Sequence, residues 1–136
     1  LMAYTAVTNM YPSFIIWIFF FATVIWVTMF DTIYAMADKA DDLEININST
    51  AILFGKKDKI IIALLQIIFY LFLVFIGLFL GFGYCFYFFL VLATAVGVYN
   101  QKLIMNRKPD LCIKAFKNNQ YIGFLIFLGI YGEYII

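Results

Sequence analysis

The stretch Phe14-Ile-Ile-Trp17-Ile-Phe-Phe-Phe21-Ala-Thr-Val-Ile-Trp26-Val-Thr-Met-Phe30-Asp31-Thr-Ile-Tyr34-Ala-Met-Ala-Asp38-Lys-Ala-Asp41-Asp42-Leu-Glu44 decides how this chain is read. Its front, through Phe30, carries no charge, while its tail carries five carboxylates. An apolar run of this length with its flanks spans the ~30 Å hydrocarbon core of a bilayer. Carboxylates this dense at the mouth of a membrane helix repel one another unless something positive sits among them. Asp38 and Asp42 are four apart and share one helix face. Asp31 lies seven before Asp38, on nearly the same stripe. Three carboxylates on one stripe at the water edge predict a site for a hard divalent cation.

Working outward, the whole chain fits a membrane protein. Its 136 residues are 66% hydrophobic, 21% aromatic and 12% charged, against about a quarter charged in soluble domains. The mean hydropathy is +1.00. The chain has no histidine, which excludes imidazole acid–base chemistry and His metal ligation. Polar chemistry therefore falls to Asp and Glu, helped by Lys, Arg, Tyr and backbone groups. The net charge of +1 does not point to nucleic acid, and no nucleic-acid partner is expected.

The expected fold is all-α, a multi-span transmembrane bundle of four spans forming half of a larger bundle. The runs are continuously apolar rather than alternating, which argues against a β-barrel. The spans are drawn from about Tyr11 to Met36, Ile60 to Leu80, Tyr84 to Gln101 and Tyr121 to Tyr134. Pro12 suits the first turn of the first span. Gly81-Phe-Gly83 breaks the second from the third. Leu1 to Val7 reads as the tail of a helix that began earlier.

The basic residues orient the bundle. All nine Lys and Arg fall in the connection between spans one and two or in that between spans three and four. The positive-inside rule makes that face cytoplasmic, and the acidic cluster with it. The expected location is the bacterial inner membrane, multi-pass, with the active-site loops cytoplasmic. Cys85 and Cys112 fall on opposite sides, so a disulfide between them is not expected. Gly77-x-x-x-Gly81 and Ala93-x-x-x-Gly97 set small residues at helix-packing spacing.

Two cytoplasmic loops converge. The first holds the acids, then Asn48, Lys56 and Lys57. The second holds Lys102, Arg107, Lys108, Lys114, Lys117 and Asn118. Carboxylates beside basic groups suit a phosphate bridged by Mg²⁺. An apolar bundle below that mouth suits a lipid tail. The expected substrate is thus an amphiphilic phosphate.

Asp31-Thr-Ile-Tyr34-Ala35, then Asp38-x-x-x-Asp42, then Asn48-Ser49-Thr50-Ala51-Ile52-Leu53-Phe54-Gly55, resembles the second aspartate motif of the UbiA superfamily of intramembrane prenyltransferases. The stretches Tyr99-Asn-Gln-Lys102-Leu-Ile and Lys114-Ala-Phe-Lys-Asn-Asn119 are similar to its 4-hydroxybenzoate polyprenyltransferase branch. The resemblance covers essentially the whole chain. It implies transfer of a polyprenyl group from a prenyl diphosphate to the ring of 4-hydroxybenzoate in ubiquinone biosynthesis. It implies Asp38 and Asp42 as catalytic metal ligands for Mg²⁺, with Asp31 as a nearby or water-mediated ligand. The diphosphate is expected to meet Lys102, Arg107 and Asn48.

The family's first Asp-rich motif is absent, and Asp110 and Glu133 stand isolated. Residues 1–136 are therefore expected to be the C-terminal half of the domain. The missing N-terminal half would be a partner, and this chain alone would catalyse little. Other acceptors of the superfamily, naphthoate or haem, and a non-enzymatic membrane module are the competing readings.

Overall fold

The computed structural model of the chain describes residues 1–135, and among these every element is helical. Helix α1 covers Met2–Thr8, α2 Phe14–Ala37, α3 Lys39–Glu44, α4 Thr50–Phe54, α5 Asp58–Leu80, α6 Tyr84–Leu103 and α7 Pro109–Ile135. Short 3₁₀ turns at Gly55–Lys57 and Ile104–Asn106 carry the chain into α5 and out of α6.

Four long helices close into a ring. α2 packs on α5 and α7, and α6 packs on the same two, with α6 and α7 the most intimate pair. α2 and α6 therefore stand at opposite corners. One buried cluster, including Phe69, Ile76, Phe86 and Ile122, fills the end of the bundle where α5 turns into α6. A second, including Met29, Ile33, Met36, Ile62 and Ile104, fills the basic end. Trp26 lies against both. Its ring stacks on Phe69 at 6.1 Å and 13°. A Cβ on Gly123 would come within 2.9 Å of that indole, so α7 needs glycine there to approach α2.

Among the described residues, three stretches are long and apolar enough to cross a membrane: Phe14–Ala37, Thr50–Leu80 and Tyr84–Asn106. The expected fourth span is not among them. Its apolar segment belongs to α7, a helix of 27 residues. The front of α7 carries Lys114, Lys117, Asn118, Asn119 and Gln120, and its end carries Glu133. That polar load dilutes the apolar run on both sides.

Three local expectations change. Pro12 precedes the helix instead of opening it, because extended Ser13 is the residue at the helix entry. The second basic loop is short: Pro109 starts α7, as suits a residue without an N–H to lose, so Lys114, Lys117 and Asn118 ride on a helix. Gly81 is exposed and is not a packing residue. It sits at φ 69° and ends α5, with the Phe82 N–H donating to the Gly77 carbonyl at 2.8 Å, a left-handed helix stop that glycine adopts without penalty. Gly77, Ala93 and Gly97 are buried, so small residues do bring α5 and α6 together.

Candidate functional site

α2 ends inside the acidic motif. Asp38, at φ −87° and ψ 2°, closes α2 and opens α3. Its N–H donates to the Tyr34 carbonyl at 3.3 Å, and its carbonyl accepts the Asp42 N–H at 2.9 Å. The helical turn thus survives the bend, and Tyr34, Asp38 and Asp42 stay on one stripe. Tyr34, itself exposed, lies one helical turn before Asp38 and two before Asp42 on that stripe. Asp38 and Asp42 are both half-buried, while Asp41 and Glu44 are exposed.

Asp31 is also exposed. Seven residues of helix put it ~10 Å below Asp38 along the axis. Among the described residues no three Asp, Glu or Cys side chains converge on one point. The structure brings Asp38 and Asp42 together and leaves Asp31 two turns away. Two half-buried carboxylates, with no thiol among them, are a donor set that fits Mg²⁺, which is held by one or two carboxylates plus waters and substrate phosphates.

Below the acids, α2 and α7 present a line of rings. Tyr34 and Phe116 have centroids 5.1 Å apart, Phe116 and Phe30 5.7 Å, and Phe30 and Trp26 5.6 Å. Trp26, Phe30, Phe116, Lys117, Asn119 and Gln120 line a groove of about 300 Å³. Trp26 Nε1 and Asn119 Oδ1 are buried without a hydrogen-bond partner among the described residues. The groove is thus aromatic at Trp26, Phe30 and Phe116 and polar at Lys117, Asn119 and Gln120.

Arg107, held at φ 50°, is committed to Asp58. Its Nη2 donates to Asp58 Oδ1 at 2.6 Å and to the Lys56 carbonyl at 3.0 Å, and its Nε to Asp58 Oδ2 at 3.0 Å. That pairing holds the guanidinium above its ordinary pKa, chiefly through the hydrogen bonds it donates to Asp58. In this structure Arg107 braces the start of α5 against the connection between α6 and α7. Lys102 is exposed in the last turn of α6, at the corner opposite α2. Asn48 is exposed just before α4. Neither is gathered against Asp38.

Asp58 is the residue that sequence reasoning passed over. Its side chain is fully buried, yet in sequence it is one acid among three lysines at the edge of an apolar run. The available signal was its place in the first turn of α5, where a carboxylate meets the positive end of the helix dipole. A part-buried polar link joins α6 to α7: Asn118 Nδ2 donates to Asn100 Oδ1 at 3.0 Å.

A sequence profile of the UbiA prenyltransferase family matches residues 1–128. A 4-hydroxybenzoate octaprenyltransferase of Citrobacter koseri is 45% identical over 134 residues, covering 98% of this chain and 46% of that protein. One of Escherichia coli O9:H4 is 46% identical over 133 residues, with the same coverage. The chain spans about half the length of the curated relatives it matches. No solved structure matches it.

Proposed function

Since the chain belongs to the UbiA prenyltransferase family, we propose that it is the C-terminal half of an enzyme moving a polyprenyl group from its diphosphate to the ring of 4-hydroxybenzoate, in ubiquinone biosynthesis. The observation that carries the proposal is the pair Asp38 and Asp42, half-buried on one stripe with Tyr34 directly above the aromatic line of α2 and α7. The names of the relatives support the choice of acceptor over naphthoate or haem.

In this reading Asp38 and Asp42 hold Mg²⁺, with Asp31 acting at a distance through water. The metal when bound supplies positive charge against the diphosphate oxygens, which makes diphosphate a better leaving group. The C–O bond of the prenyl diphosphate breaks, leaving an allylic cation. A C–C bond then forms at the ring carbon beside the hydroxyl, and the ring loses a proton to regain aromaticity. Phe116, Phe30 and Trp26 line the path of the prenyl tail and keep water out of it. Phe30 lies eight residues before Asp38, so a chain anchored by its diphosphate runs ~12 Å down α2 to reach it. That distance suits the prenyl tail.

The other half of the enzyme supplies the first Asp-rich motif, and this chain alone turns over little substrate. The loops bearing Asp38 and Arg107 face the cytoplasm of the inner membrane. The test is transfer of a labelled prenyl diphosphate to 4-hydroxybenzoate by the complete enzyme in membranes, with and without Mg²⁺. Mg²⁺-dependent formation of prenylated 4-hydroxybenzoate is expected. Transfer that ignores Mg²⁺, or that requires a different acceptor, contradicts the proposal.

A further inference from the structure

Asp58 does more than pair with Arg107. Its Oδ2 lies 3.8 Å from Lys39 Nζ, and that ammonium also donates to the Gly55 carbonyl at 3.2 Å. Its Oδ1 accepts the Lys59 N–H at 2.7 Å. Lys39 is the residue directly after Asp38. Its charge is thus drawn away from Asp38 and Asp42, toward the start of α5.

This placement has an electrostatic consequence. A lysine one residue from one carboxylate and three from another is a built-in competitor for both. An ammonium paired with those carboxylates would oppose a metal ion at the same oxygens. A side chain as long as lysine reaches either acid unless something else holds it. Asp58 and the Gly55 carbonyl hold it. Arg107 fixes Asp58 in turn, and Lys59 Nζ donates to the Met105 carbonyl at 3.0 Å, so the two cytoplasmic connections are locked together around one buried carboxylate.

We propose that Asp58 is a positioning residue that keeps Lys39 off Asp38 and Asp42 and so leaves both carboxylates open to a divalent cation. The inference rests on the reading of Asp38 and Asp42 as metal ligands. Asp58 touches neither metal nor substrate. It acts by claiming the one cation that the acidic motif carries within itself.

The test is Mn²⁺ binding to the complete enzyme in detergent, followed by loss of the free-ion electron paramagnetic resonance signal. Asp58→Asn should weaken binding about tenfold, the lower end of what loss of an outer-sphere partner costs a metal site. Adding Lys39→Gln to Asp58→Asn should bring binding back to within about twofold of the unaltered protein, because the two substitutions act on one interaction. Unchanged binding in Asp58→Asn overturns the proposal, as does a double variant that binds as weakly as the single. If Asp58→Asn does not fold, Lys39→Gln alone decides. It should bind Mn²⁺ at least as tightly as the unaltered protein, and weaker binding contradicts competition. Asp38→Asn serves as the control for the underlying reading. If it binds Mn²⁺ normally, the ligand assignment itself fails. If it loses Mn²⁺ while Asp58→Asn does not, only the role of Asp58 fails.

Discussion

Glu133, in the last turn of α7, caps the first turn of α6 at Phe86: its Oε1 accepts the Phe86 N–H at 2.8 Å, and its Oε2 accepts the Gly83 N–H at 2.7 Å. An acid that looked isolated in sequence thus ties the two most intimate helices together at the end remote from Asp38. It satisfies two of the N–H groups that a helix start leaves without partners and places negative charge at the positive end of the α6 dipole. Glu133→Ala should lower stability by about 1–2 kcal/mol, the range for loss of a helix cap. Thermal unfolding in detergent reads this. Prenyl transfer per folded molecule should stay unchanged, since the cap is at the opposite end of the bundle from the acids.

Asp58 is fully buried with Arg107 as its main counter-ion. Arg107→Ala leaves that carboxylate short of its partner, a loss of about 3 kcal/mol for a buried pair broken on one side. Arg107→Lys should recover only part of this, because an ammonium cannot reproduce the forked contact of Nε and Nη2. Unfolding midpoints of the two variants check the order.

At Gly97 an added Cβ would collide with Gln66 Nε2 and come within 2.8 Å of the Tyr70 hydroxyl. Tyr70 itself donates to the Ala93 carbonyl at 2.8 Å, so it is not free to swing away. Gly97→Ala should therefore cost about 1–3 kcal/mol through overpacking between α5 and α6. A midpoint equal to that of the unaltered protein would show that the two helices part more easily than their contact suggests.

Cys85 and Cys112 test the orientation. Both are free, Cys85 half-buried at the start of α6 and Cys112 fully buried at the start of α7. Burial pushes the Cys112 thiol above its ordinary pKa. Less of it is thiolate at neutral pH, so its alkylation is slow and rises only in alkali. A membrane-impermeant maleimide applied from outside the cytoplasm should label Cys85 first. Prior labelling of Cys112 from that side would invert the assigned topology.

The sequence made the long elements legible because continuous apolar runs between charged connections leave few alternatives. Three helix bodies and the basic end follow from that pattern. What it hid was local. The start of α7 was invisible because Lys114, Lys117 and Asn118 look like loop residues until Pro109 is seen to open a helix. Gly81 looked like packing by spacing, whereas its backbone conformation makes it a stop. The pairing of Asp38 with Asp42 was legible from their spacing, and so was the depth of Asp31, since seven residues of helix rise ~10 Å. Asp58 was passed over because one acid among three lysines at a membrane edge looks like part of a topology signal, and only the three-dimensional contact shows it paired with distant Arg107.

The most direct test of the account is prenyl transfer to 4-hydroxybenzoate by the complete enzyme carrying Asp38→Ala, measured beside the unaltered enzyme across a Mg²⁺ titration. The account predicts that transfer falls by about a hundredfold or more, as when a group stabilising a leaving charge is removed, while membrane insertion is unchanged. Transfer at the normal rate with the normal Mg²⁺ dependence would contradict it.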